Sequence, residues 1–121
     1  MLKVHVRNLG SVAMLCVQGR IVRGEIAPLR KAVSAQWGVS AVVLDLTRVS
    51  TIDARGLGVM LELRELIQSR GIAFKVMNVT NLVSYLLEVT RLNSVFDVTS
   101  GAEIASALAP NWPAKELAQC A

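Results

Sequence analysis

Val42-Val43-Leu44-Asp45-Leu46-Thr47-Arg48-Val49-Ser50-Thr51-Ile52-Asp53-Ala54-Arg55-Gly56-Leu57-Gly58-Val59-Met60-Leu61 is the stretch on which the fold turns. It opens in Ala41–Leu46, a short apolar run rich in β-branched residues and interrupted only by Asp45. Such a run is the pattern of a strand covered on both faces, so it belongs at the centre of a sheet. A polar loop is expected over Thr47–Asp53, then a helix from about Ala54 to Ser69 that Gly71 ends. Strand, loop and helix start in quick succession are the elements of a parallel α/β unit.

Outward from there, Leu2–Arg7 and Val12–Val17 flank Asn8-Leu9-Gly10-Ser11, two β-patterned runs around a turn, and should pair as an antiparallel hairpin. The chain is expected to leave the sheet at Gly19. After Arg20-Ile21-Val22-Arg23-Gly24, Pro28 suits a first helical turn, and Ile26, Leu29, Val33 and Trp37 recur at helical spacing. That predicts a helix over Ala27–Gln36. Ile72–Met77 is the next strand; Thr80 caps a helix carrying Leu82, Val83, Leu86 and Leu87; Val95–Val98 is a short edge strand. Ser100 and Glu103 form a capping box for a last helix ended by Pro110, with Trp112 and Pro113 in the tail beyond. The order implies an α/β fold: a mixed β-sheet of about five strands with about four helices and right-handed crossovers.

Asp53-Ala54-Arg55-Gly56-Leu57-Gly58, after a strand ending in Asp45-Leu46, resembles the STAS domain of anti-sigma-factor antagonists. That family carries an Asp-Ser-Ser-Gly-Leu-Gly loop at a helix N-terminus. Gly19 matches its glycine turn after the second strand, and Val76-Met77-Asn78-Val79 its strand-Asn-Val connection. The resemblance places a STAS-like domain at 1–109 and a C-terminal tail at 110–121. It implies partner switching in bacteria: the antagonist binds a kinase-like anti-sigma factor, frees a sigma factor, and is released when that kinase phosphorylates the second loop serine. Here Arg55 stands at that serine, and an arginine is no substrate for a Ser/Thr kinase. STAS relatives imply an alternative, a cytoplasmic subunit docking on the ATPase of a lipid ABC transporter.

Composition narrows the function further. At 121 residues the chain is long enough for one unstapled core. Hydrophobic residues make up 53% and mean hydropathy is +0.48, so a partner or a second copy in a homodimer is expected to cover some apolar surface. Every apolar run breaks off well before the ~20 residues of a spanning helix, so membrane insertion is not expected. The alternating N-terminus, with Lys3, His5 and Arg7 between Leu2, Val4 and Val6, lacks the apolar stretch of a signal peptide, which favours the cytoplasm. Cys16 and Cys120 give no disulfide framework and are expected as free thiols. The net charge of +4 is spread along the chain and aromatics are only 4%, which argues against nucleic acid.

Among individual residues, Asp53 suits a helix cap better than catalysis. Gly56 and Gly58 lack the rest of a phosphate-binding fingerprint and fit helix–sheet packing. Arg55, a cation in a first helical turn, opposes the helix dipole at a cost of a few tenths of a kcal/mol. Arg55, Gly58, Glu62, Glu65 and Ser69 form a polar stripe; Val59, Met60, Leu63, Leu66 and Ile67 face the sheet; Leu57, Leu61 and Arg64 fall on a shoulder between. The resemblance implies docking at the loop Asp53, Ala54, Arg55, Gly56, Leu57 and Gly58, and the shoulder adds Leu61 and Arg64 to the expected partner surface. Asp45 is expected to hydrogen-bond the loop of Ser50 and Thr51, themselves alternative phosphoacceptors or plain turn residues. His5, the single histidine, has no nucleophile or acid beside it, and no metal-ligand spacing occurs, so neither an enzyme nor a cofactor is expected.

Overall fold

Strands β1 (Lys3–Leu9) and β2 (Val12–Ile21) form the expected hairpin, and β3 (Ala41–Ile52), β4 (Ala73–Met77) and β5 (Asp97–Thr99) follow β2 in parallel. The computed structural model describes residues 1–99. The capping box at Ser100, the helix expected to reach Pro110, the tail and Cys120 lie outside the described residues. The sheet order is β1-β2-β3-β4-β5, with β3 at its centre as its apolar run predicts.

Helices α1 (Ala27–Ser34), α2 (Ala54–Ser69) and α3 (Asn81–Val89) are the crossovers between the parallel strands. From β2 to β5 the chain always steps in the same direction across the sheet. Right-handed crossovers taken in one direction leave their helices on one face. The main core accordingly joins Ala13, Leu15, Val42, Leu44 and Val76 of the sheet to Leu29, Met60, Leu63, Ile67, Val83 and Leu87 of all three helices. The helix starts follow their sequence signals: Pro28 lies in the first turn of α1, the Asp53 carboxylate caps α2, and the Thr80 hydroxyl accepts the Val83 N–H at 3.2 Å.

Four expectations need correction. Strand β3 runs straight through the expected Thr47–Asp53 loop as far as Ile52, and β2 continues past Gly19. The two extensions pair with each other, Gly19 with Val49 and Ile21 with Ile52, because Ile21, Val49 and Ile52 bury apolar side chains that a loop would expose. Gly19, at φ 116°, marks a register shift in that ladder instead of an exit from it. Trp37 lies beyond α1 and is 67% exposed. Its ring carries the Arg70 guanidinium at 3.6 Å, and that same group donates to the Ser34 and Gln36 carbonyls at 2.8 Å each. A cation–π contact at the helix end has taken Trp37 out of the core stripe. Cys16, expected as a free thiol, is disulfide-bonded.

Candidate functional site

The end of β2, the turn after it, the end of β3 and the first turn of α2 meet at one corner of the sheet. Asp53 ties them together. Its backbone N–H donates to the Ile21 carbonyl at 3.3 Å; its Oδ1 accepts the Gly56 N–H at 2.7 Å, and its Oδ2 the Arg23 N–H at 2.9 Å. Donation first from the Arg23 amide and then from the Gly56 amide holds the carboxyl below the usual aspartate range, since both bonds favour its charged form. Asp53 is thus the cap the sequence suggests and a brace to the turn as well.

Gly56 is buried directly on β2: a Cβ there would collide with the Ile21 carbonyl oxygen. This fixes how α2 is seated and turns Ala54 and Arg55 outward, where both are exposed. Gly58 is different, half-buried with nothing within 4 Å of where its Cβ would stand. The packing expectation therefore holds for Gly56 alone.

Arg55 shares an open concavity of about 570 Å³ with Arg23 and Gly24. A neighbouring hollow of about 270 Å³ runs along α1 past Ile26, Ala27 and Arg30 to Val59. Arg30 is paired with Glu62 of α2 at 3.1 Å, but among the described residues no ion pair engages Arg23 or Arg55. The corner therefore presents two uncompensated cations at a helix N-terminus, an arrangement that attracts carboxylate or phosphate. Reasoning from sequence missed Arg23 and Gly24. Their signal was Arg20-Ile21-Val22-Arg23-Gly24, two charges and a glycine just where the chain leaves β2; Gly24 sits at φ 87°.

The remaining expected site residues divide. Leu57, 7% exposed, is part of the core and leaves the shoulder, because seating Gly56 on Ile21 turns the next side chain inward. Leu61 and Arg64 are half-buried at the rim, and Arg55, Glu62, Glu65 and Ser69 are exposed along the polar stripe. Asp45 does hydrogen-bond the Thr47–Asp53 segment, at its first residue: buried, it accepts the Thr47 N–H at 2.9 Å and the Thr47 hydroxyl at 2.5 Å. Exposed Ser50 donates to the Gly19 carbonyl at 3.3 Å, and half-buried Thr51 pairs with Arg20 in the β2–β3 ladder. His5 is exposed on β1. Among the described residues no group of His, Cys, Asp and Glu could hold a metal ion, and no helix is long and apolar enough to cross a membrane.

The STAS domain family model matches residues 3–107. No curated protein matches the chain. Among solved structures, an anti-sigma factor antagonist from Mycobacterium paratuberculosis is similar at 20% identity and TM-score 0.77, over 89% of this chain and 94% of that one. The Bacillus cell fate determinant SpoIIAA in its phosphorylated form aligns at 13% identity and TM-score 0.66, over 88% of this chain and 100% of that one. A sulfate transporter family protein from Wolinella succinogenes aligns at 21% identity and TM-score 0.67, over 89% of this chain and 88% of that one. At such identities the likeness is one of fold.

Proposed function

Because this chain belongs to the STAS domain family, we propose that it is a non-catalytic binding module of the anti-sigma-factor antagonist kind, docking in the bacterial cytoplasm on a kinase-like anti-sigma factor. The docking surface is the corner at the start of α2: Asp53, Ala54, Arg55 and Gly58, with Leu61 and Arg64 along the rim. Gly56 and Leu57 support it from beneath. The observation that carries this reading is Arg55, exposed beside Arg23 and Gly24, where the sequence resemblance puts the family's phosphoserine. A phosphoserine brings about −2 charge to that place and drives the partner off. Arg55 holds it positive, so the module stays competent to bind and is controlled by its abundance or by the partner's state. The partner should set a carboxylate against Arg55, since burying a guanidinium unpaired is costly. Ser50, tied to the Gly19 carbonyl, and Thr51, held in a strand ladder, are the fallback phosphoacceptors.

Calorimetric titration of the purified chain with the kinase-like anti-sigma factor of the same cell tests this. Arg55→Glu should weaken binding at least about tenfold, Arg55→Ser should bind, and Leu61→Asp should lose affinity while keeping its fold. Equal affinity of Arg55→Glu and the parent would remove this corner from the interface. Binding to a lipid transporter's ATPase with none to the anti-sigma factor would establish the transporter reading instead.

A further inference from the structure

The sheet ends at β1, and among the described residues no strand pairs with its outer edge. The hairpin turn fixes which groups that edge presents. Gly10, at φ 62°, and Ser11 make a two-residue connection that closes on the Leu9–Val12 pair. Pairing alternates from there, so Lys3, His5 and Arg7 bond with β2, whereas Val4, Val6 and Asn8 direct N–H and C=O away from the sheet. A row of such groups is a template for another strand.

The side chains of β1 divide by face. Val4 and Val6, half-buried, line a hollow of about 350 Å³ with Pro28, Lys31, Ala32 and Ala35 of α1. Lys3 and His5 are exposed on the opposite face. Charge here runs one way, because β1, β2 and α1 contain no Asp or Glu. The nearby Glu25 and Glu62 are already paired with Arg20 and Arg30, and among the described residues no ion pair engages Lys3 or Lys31. The edge thus joins unpaired backbone, an apolar hollow and cations that lack a counter-charge.

We propose that the β1 edge takes up an extended segment of a partner protein in which apolar and acidic residues alternate, added to the sheet as a further strand. Its apolar side chains enter the hollow and its carboxylates lie over Lys3 and His5, with Lys31 adding to the attraction from the hollow's rim. A second copy is a poor occupant, because its own β1 brings the same cations and no carboxylate. A helix is another, since it satisfies its own backbone and leaves that of the edge unpaired. The hollow and the corner at α2 lie on opposite flanks of α1, and the proposal does not rest on docking at that corner.

The full-length chain, labelled for NMR, provides the test by titration with a capped peptide of alternating Val and Glu. Two controls accompany it, a peptide of alternating Val and Lys and one with the same Val and Glu in two blocks. The alternating acidic peptide should bind at least about tenfold more tightly than either control, shift the amide signals of Val4, Val6 and Asn8, and slow their exchange with water. Methylating the backbone nitrogens of one alternate set of its residues should abolish binding while methylating the other set spares it, because only one set faces β1. Lys3→Glu combined with Lys31→Glu should weaken binding at least about tenfold. Equal binding of the acidic and Lys peptides, indifference to both methylations, or shifts confined to the corner around Arg23 and Arg55 overturn the proposal. So does a concentration-dependent dimer that protects the same three amides, because a second copy would then hold the edge.

Discussion

Helices α2 and α3 both follow a parallel strand and both begin on a side-chain cap, yet only one of the two starts is built into the sheet. At α3, Thr80 accepts a single first-turn amide, and Leu82 beyond it is 46% exposed. At α2, Asp53 serves the helix and the Arg23 amide together, and Gly56 rests on the Ile21 carbonyl. A cap therefore fixes where a helix begins, whereas the backbone beneath the first turn fixes how the helix sits. Only the second holds an arginine at a defined place on the surface.

Replacing Gly56 by Ala should show this most strongly. A Cβ there meets backbone, which cannot swing aside as a side chain can, so α2 must lift or β2 must give way. A loss of about 3 kcal/mol is expected in urea unfolding, at the upper end for overpacking. A loss below about 1 kcal/mol would mean that the close approach is soft and that α2 is no more anchored than α3.

Removing the caps sharpens the comparison. Thr80→Ala should cost about 1 kcal/mol. Asp53→Ala should cost more than Thr80→Ala, because it frees two amides from two segments, and equal losses would deny the brace to Arg23. Acid gives an independent measure. The Asp53 carboxyl titrates below its unfolded value of about 3.9, so its contribution is present above that value and lost as the pH falls through the lower folded one. The parent should thus lose stability faster below pH about 4 than Asp53→Asn does, with Thr80→Ala following the parent.

How much of this was legible in the sequence depends on what each feature rests on. Helix α2 was bounded correctly at Ala54 and Ser69, because cap and stop signals are local. Central β3 was legible in its apolar run, and the helical crossovers in the alternation of strand and helix signals, whereas the one-way strand order emerged only from the structure. The extension of β3 to Ile52 was hidden, since Thr47, Ser50 and Thr51 look like a loop until the tail of β2 is laid beside them. Trp37 fitted the stripe of α1 by spacing, but its partner Arg70 lies far along the chain, after α2. Leu57 was misplaced for a related reason: helical spacing sets relative angles around α2, and the absolute rotation is set by Gly56 against Ile21. At the candidate site, Arg55 was visible through the resemblance, but Arg23 joined it only once the turn after β2 was seen folded against the start of α2.

The smallest expected effect separates the two glycines of α2 and tests the docking surface as well. Gly58 has open space where a Cβ would stand, and its backbone is ordinary helix. Alanine there removes the entropic penalty of a mid-helix glycine and should raise stability by about 0.5–1 kcal/mol, opposite in sign to Gly56→Ala. A loss of stability would show that the two positions are alike and that the packing around α2 is tighter than its open side suggests. If the gain appears, the question becomes why a stabilising methyl is missing from a helix facing water. A partner whose backbone approaches α2 closely at Gly58 supplies the reason. Gly58→Ala should then be more stable than the parent and bind the proposed partner more weakly, the two effects moving in opposite directions in one variant. Unchanged affinity in the stabilised variant would move the contact away from Gly58, toward Arg55 and Leu61.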